Sequence, residues 1–297
     1  MAGTVLFSLL GDDQEFQKMQ AEEGQSAAAR AGLAAEVVYC HNSPSAQLQQ
    51  LQSALKAPPA TRPVAIAFQP AAVTGLEALA RTAVQGGVGW ISFDAAPYLQ
   101  GLQREFPGKL VALVSTDNRE MGRLMARAIH ALLPRGGKIV HLEGPSLGGP
   151  VIHRREGLLE GLQGSGVTLV KTLTGDWTES SGERAATFWL KLGSRKERPD
   201  LVAAQNDLMA AGAHKAIHTL RPDWGEIPFV GCDGLPHGGQ RLVKEKVLRA
   251  TMVQQSMTGA AVELVVRAMR GEKIPPATYL PPHMFPTLEE IERRGLG

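Results

Sequence analysis

Residues 200–217 read DLVAAQNDLMAAGAHKAI, an apolar run that breaks at the polar triplet Gln205-Asn206-Asp207 and resumes in helix-forming residues. A short apolar run that stops at a polar step and continues as Ala, Leu, Met and Lys reads as a buried strand feeding a helix. The same grammar recurs along the chain. Apolar or β-branched runs appear at TVLFSLL (4–10), AEVVYC (35–40), PVAIAF (63–68), VGWISF (88–93), LVALVS (110–115), KIVHLEG (138–144), TLVKTL (168–173), DLVAAQ (200–205), IPFVGC (227–232) and RATMVQQ (249–255). Helical stretches separate them. Residues 14–31 end at Gly32, residues 119–133 at Pro134 and residues 256–270 at Gly271, each a helix-stop signal. Alternating strands and helices predict parallel α/β sheets, and ten strands exceed one comfortable sheet. Two doubly wound parallel-sheet lobes are therefore expected.

The composition limits function. With 31 Lys plus Arg against 29 Asp plus Glu, the net charge of +2 gives no field for gripping nucleic acid. A 43% apolar, 20% charged composition is that of a folded globular protein. Two cysteines, Cys40 and Cys232, are too few for a disulfide framework and are compatible with a bridge or with two thiols. The opening MAGTVLFSLLGDD has no basic leader and no long apolar region, so the sequence reads either as cytoplasmic or as a chain whose leader has been removed. No apolar run reaches the roughly 18 residues of a membrane span.

In open parallel sheets, ligands lie beyond the carboxyl ends of the strands. Residues just after the strand runs include Asp12, Asp13, Phe16, Gln69, Asp94, Thr116-Asp117-Asn118, His153-Arg154, Asp176-Trp177, Asn206-Asp207, Asp233 and Gln254. This mixture of carboxylates, amides, one arginine and aromatics suits a neutral, hydroxyl-rich ligand, because carboxylates and amides bracket hydroxyls while rings stack on a sugar's apolar face. Each residue also has a structural reading. Asp117 and Asp207 are equally good helix N-caps, Asp12 and Asp13 are ordinary turn residues, and Trp177 taken alone suits a core.

With these positions in view, the chain resembles the type I periplasmic binding proteins of the ribose- and galactose-binding branch, whose fold is shared with lactose-repressor-type sensor cores. The segments that carry the resemblance are VSTDNREMGRLMARAI, SLGGPVIHRREGLLEGL, AQNDLMAAGA and FVGCDGLPHGGQRLVKEKVLRATMVQQ, in that order. It implies two lobes joined by three hinge crossings and closing on a ligand. The first lobe would take residues 1–116 plus 255–279, and the second residues 117–254 plus 280–297. It implies a sugar-stacking Phe16, a hydroxyl acceptor at Asp94 and an amide at Gln69, with Asp13 and Thr116 beside them. In the second lobe it implies ligand contacts from Arg154, Trp177, Asn206 and Asp233, with Gln254 at a hinge. Asn206 would then face ligand and Asp207 would cap the helix or steady the hinge.

The chain departs from the ribose pattern at Ala95, where an arginine is usual, at Cys232, where an aromatic is usual, and in the acidic loop GDDQEF. These changes point towards a larger polyol, an amino sugar or a cationic small ligand. The expected role is a solute-binding protein that delivers a sugar-like ligand to a membrane permease or sensor kinase, as a monomer, in the periplasm or outside the cell. The alternative is an excised or cytoplasmic sensing domain of a regulator, which would need a DNA-reading helix-turn-helix elsewhere. No catalytic residue, cofactor or metal is expected, since G-x-S-x-G, the P-loop and H-E-x-x-H are absent. The i, i+4 pair His214 and His218 reads as a solvated helix face.

Overall fold

The computed structural model describes residues 3–12, 14–72, 74–94, 96–145, 149–192 and 197–295. The chain divides into two compact units, one of residues 1–116 with 256–280 and the other of residues 117–255 with 281–297. The backbone thus passes from one unit to the other three times.

Unit 1 contains β1 (Thr4–Leu9), α1 (Glu15–Arg30), β2 (Ala34–Tyr39), α2 (Pro44–Lys56), β3 (Ala65–Phe68), α3 (Glu77–Gln85), β4 (Gly89–Phe93), α4 (Leu99–Glu105) and β5 (Val111–Thr116). Unit 2 follows with α5 (Asn118–Leu132), β6 (Gly137–Glu143), α6 (Gly149–Gly161), β7 (Val167–Thr174), α7 (Glu179–Lys191), β8 (Leu201–Ala204), α8 (Asp207–Leu220), β9 (Phe229–Asp233), α9 (Gly239–Lys244) and β10 (Ala250–Val253). The chain then returns to unit 1 for α10 (Met257–Met269) and β11 (Ala277–Leu280), and ends in unit 2 with β12 (His283–Phe285) and α11 (Leu288–Gly295). Sheet A runs β11-β5-β4-β3-β1-β2 and sheet B runs β12-β10-β9-β8-β6-β7.

All ten strands expected from the sequence are present. β11 and β12 are additional. β12 pairs antiparallel with β10, through Thr251–Phe285 and Val253–His283, so sheet B is mixed rather than wholly parallel.

The strands read as nearly continuous apolar runs because both faces of each sheet are covered. In β1, Val5, Phe7 and Leu9 pack beneath α1 and α10, while Leu6 joins Leu51, Ala80, Val84 and Leu102 of α2, α3 and α4 on the other face. In unit 2, Val140, Leu142 and Val202 face α7 and α8, whereas Ile139, Leu201 and Ala203 face α5 and α6. Cys40 and Cys232 are buried free thiols in different units, so no bridge joins them.

On each face of sheet B two helices meet backbone to backbone. A Cβ added at Gly157 of α6 would lie 1.9 Å from the Arg119 carbonyl oxygen of α5, and one at Gly122 would lie 2.2 Å from the Arg154 carbonyl oxygen. Gly212 of α8 and Gly182 of α7 repeat the arrangement against Glu179 O at 1.9 Å and Met209 O at 2.2 Å. Backbone atoms cannot move aside as a side chain does. Gly157→Ala is therefore expected to destabilise unit 2 by about 1–3 kcal/mol. Gly101→Ala, at an exposed helical position of unit 1 with nothing near its added Cβ, should instead stabilise by up to about 1 kcal/mol. Scanning calorimetry of the two variants distinguishes these outcomes.

Candidate functional site

At the carboxyl ends of sheet A a chain of side-chain hydrogen bonds crosses four strands. Gln17, buried in α1, accepts from the Leu10 backbone N–H at 3.2 Å and donates to Gln69 Oε1 at 2.9 Å. Gln69 Nε2 reaches Asp94 Oδ2 at 3.5 Å, and Ser115 Oγ donates to Asp94 Oδ1 at 3.0 Å. The carboxylate at the end of β4 is thus oriented from both sides, by an amide on the β3 side and a hydroxyl on β5. Gln47 fixes the neighbouring turn by donating to Ser8 Oγ and the Gln69 carbonyl and by accepting from Ala71 N. Phe16 is half-buried against the core cluster beneath α1, and Thr116 is buried at the end of β5. Asp13 and Ala95 lie outside the described residues.

At the carboxyl ends of sheet B the organising group is Arg154, 6% exposed. Its Nε donates to Asn118 Oδ1 at 2.8 Å and its Nη1 to the Gln205 carbonyl at 2.5 Å. Asp233 Oδ1 stands 3.8 Å from Nη1, and the Trp177 ring centroid lies 5.9 Å from the guanidinium carbon. Gln254 Nε2 donates to the same Asp233 oxygen at 2.8 Å. Asn206 donates to the Trp177 carbonyl at 2.8 Å and accepts from Met209 N at 2.9 Å. Arg154, Trp177, Asn206, Asp233 and Gln254 therefore form one connected polar group within unit 2, as Gln69 and Asp94 do within unit 1.

Six non-glycine residues among those described have positive φ, and three are in these groups: Asp94 at 63°, Trp177 at 72° and Asp233 at 102°. Such conformations cost about 1–3 kcal/mol each and persist where the surroundings over-determine them, typically at functional sites. Trp177 also needs a residue without a side chain opposite. A Cβ on Gly144 would lie 2.1 Å from its ring.

Several sequence expectations change. The N-cap of α8 is Asn206 and not Asp207, because the strand end leaves Asn206 in extended backbone with its Oδ1 over the Met209 N–H. Asp207, 3% exposed, bonds inward: Oδ2 accepts from Gly234 N at 2.8 Å and Oδ1 from Thr251 Oγ at 2.6 Å. Burial, and then the charge of Asp233, raise its carboxyl well above the ordinary carboxylate range. Asp117 does cap its helix, accepting from Glu120 N at 2.9 Å. Asp176 is an exposed turn residue held by Thr178 and Arg184. His153 is exposed, and Cys232 points into the core. His214 and His218 are not a solvated face. Their rings lie 4.1 Å apart, half-buried, with His214 edge-on to Phe229. No group of three metal-ligating side chains occurs among the described residues.

Sequence reading missed the supports Gln17, Ser115, Glu143 and Arg155, and it named Asn118 as a polar step after a strand without giving it the role of holding Arg154. Glu143, 2% exposed at the end of β6, takes both Arg155 Nε, at 2.7 Å, and Nη2. His141 Nδ1 lies 3.1 Å from Glu143 Oε1, an ion-pair distance whose angle falls outside hydrogen-bond geometry. This bridge ties β6 to α6 one residue from Arg154. The only sequence signal was a carboxylate ending a buried strand eleven residues before the Arg154-Arg155 pair.

The fold and the two end groups define a two-unit α/β binding protein. Residues 5–273 match the sequence profile of the periplasmic binding protein domain, and the chain belongs to that family. Among known relatives, the ribose import binding protein of Salmonella typhimurium is 27% identical over 171 residues, covering 56% of this chain and 55% of that protein. The match therefore spans about half the relative's length. The galactofuranose-binding protein YtfQ of Escherichia coli is 20% identical over 302 residues, covering 98% of this chain and 92% of that protein. The Caulobacter myo-inositol binding protein, solved with myo-inositol, superposes with a TM-score of 0.78 at 24% identity, covering 99% of this chain and 97% of that one. A periplasmic solute-binding protein of Actinobacillus succinogenes with bound D-allose gives 0.83 at 18% identity, covering 98% and 99%.

Glu143 gives these contacts a pH signature. Burial alone would raise its carboxyl, but His141 and Arg155 outweigh it and hold the group at about 2. A lowered carboxylate contributes stability above its unfolded value, near 4.5, and that stability is lost as pH falls through the folded value. The melting temperature of unit 2 should therefore drop between about pH 4.5 and 2, and Glu143→Gln should start lower and show a shallower drop in the same acid titration.

Proposed function

We propose that this protein is a solute-binding protein that captures a small hydroxylated ligand, a sugar or sugar-like polyol, without making or breaking a bond. The contacts we assign are Phe16, Gln69, Asp94 and Thr116 of unit 1, with Asp13 assigned from the sequence alone, and Arg154, Trp177, Asn206, Asp233 and Gln254 of unit 2. The observation that carries the reading is the unit 2 group. A buried guanidinium held by neutral acceptors, against an indole and beside a carboxylate, can donate to ring or hydroxyl oxygens while the carboxylate accepts hydroxyl protons. The indole offers a face to the ligand's C–H surface.

What the relatives bind supports the class: ribose, D-ribose or D-allose, galactofuranose and myo-inositol. Gln69 and Ser115 orient the Asp94 carboxylate with neutral donors, and a carboxylate so held is suited to accept a ligand hydroxyl. We assign the periplasm or cell exterior as its setting and an ABC permease as the receiver. A sensor kinase is the second reading, supported by the similarity to a fructose-binding periplasmic domain of a hybrid two-component system, TM-score 0.78 at 20% identity.

Isothermal titration against pentoses, hexoses, myo-inositol and amino sugars tests the class, with saturable binding of at least one neutral member expected. A folded protein that binds none of them ends the proposal. With the ligand found, Arg154→Ala should weaken binding at least about 100-fold, since it removes charged hydrogen bonds from a desolvated site. Phe16→Leu tests the stacking role separately and should cost about tenfold.

A further inference from the structure

We propose a second ligand site in unit 2, at the amino ends of its strands, that takes a small amphiphilic anion: an apolar body carrying one carboxylate or phosphate head. A cavity of about 790 Å³ opens there. That volume falls in the range of small-molecule sites, roughly 300–1,000 Å³. Its floor is apolar, built from Leu132, Val243, Leu248 and Phe285. Pro228 and Arg249, which also line it, immediately precede β9 and β10. The candidate sugar contacts Asp233 and Gln254 lie at the opposite ends of those same strands, about 15 Å along the chain direction. The two sites are thus separate.

The rim carries the argument. Lys244, Lys246 and Arg249 line the cavity, and their side chains make no ion pair or hydrogen bond among the described residues. Elsewhere on unit 2 the basic residues are widely paired, as Arg119, Arg123, Arg155, Arg221 and Arg241 are. The lining carboxylate, Glu290, accepts from Thr287 N at 2.9 Å. Three cations against one carboxylate beside an apolar floor complement a ligand with an anionic head and an apolar body, and repel a cationic one.

The backbone supplies an independent sign. Lys246 sits at φ 63°, just past the end of α9, a position where glycine or asparagine ordinarily closes a helix. A lysine there carries a conformational cost that glycine would not, and it is one of the residues lining the cavity. Lys246 is one of three positive-φ residues outside the assigned contacts, with His41 and Asn42, and of those three it alone lines this cavity.

The test uses the full chain with decanoate as the probe. One equivalent of decanoate should bind, and binding should weaken in 0.5 M salt. 1-Decanol and decyltrimethylammonium should bind at least about tenfold more weakly. Lys244→Gln/Lys246→Gln/Arg249→Gln, all exposed positions, should lose at least about tenfold in decanoate affinity while sugar binding stays unchanged. Lys246→Gly should raise the melting temperature by about 2 °C and still weaken decanoate, because it relieves the backbone while removing the charge. Equal binding of all three probes, or a triple variant that binds decanoate normally, overturns the proposal. So does retention on anionic phosphatidylglycerol vesicles without binding of decanoate, which would make the surface a membrane contact.

Discussion

An arginine withdrawn from water must be satisfied by fixed partners, and Arg154 is the residue whose satisfaction shapes unit 2. Its donors are used by the Asn118 amide and the Gln205 carbonyl, with Asp233 close by and the Trp177 ring at its side. Neither hydrogen-bonding partner is ionised, and the carboxylate paired with it, Asp233, stands 3.8 Å away and also accepts from Gln254. A buried cation with neutral partners retains electrostatic reach towards an incoming oxygen, which a tightly neutralised pair would not.

That requirement propagates outward. Arg154 can reach Asn118 because Gly122 and Gly157 let α5 and α6 approach until carbonyls meet Cα atoms. The helix carrying it is also tied to β6 through the Glu143–Arg155 bridge. Asp207 does similar work inside the sheet, joining the turn after β9 to β10 through Gly234 and Thr251, directly behind Asp233. Packing, backbone kinks and buried charge thus converge on the same end of sheet B.

The strand and helix alternation was legible because both sheet faces are covered, which turns each inner strand into an apolar run that a reader can see. β11 and β12 were not legible. They are short edge strands, and the prolines at 275–276, 281–282 and 286 beside them disguise their pairing. The residues of the candidate site were visible as polar steps after strands, and the resemblance to a known family gave them roles. Most of their supports were invisible: Gln17 sits in a helix where nothing in a single sequence marks an amide as buried, and Asn118, visible as a polar step after β5, gave no sign that it would hold Arg154. Asn206 and Asp207 are both good caps, and only the backbone at the end of β8 decides between them.

The interleaved path of the chain has a consequence for biosynthesis. Unit 1 needs Met257, Ala261, Val262 and Val265 of α10 to cover one face of its sheet, and Gln20 waits for the backbone N–H groups of Met257 and Thr258. Its amino-terminal strands therefore leave the ribosome long before the residues that complete them. Until Val265 has emerged, one face of this half's sheet lacks the cover that α10 supplies. Unit 2, by contrast, has all but its last strand and helix by residue 255. The half that is translated first is the half that must be finished late, and no single cut in the gene can separate the two.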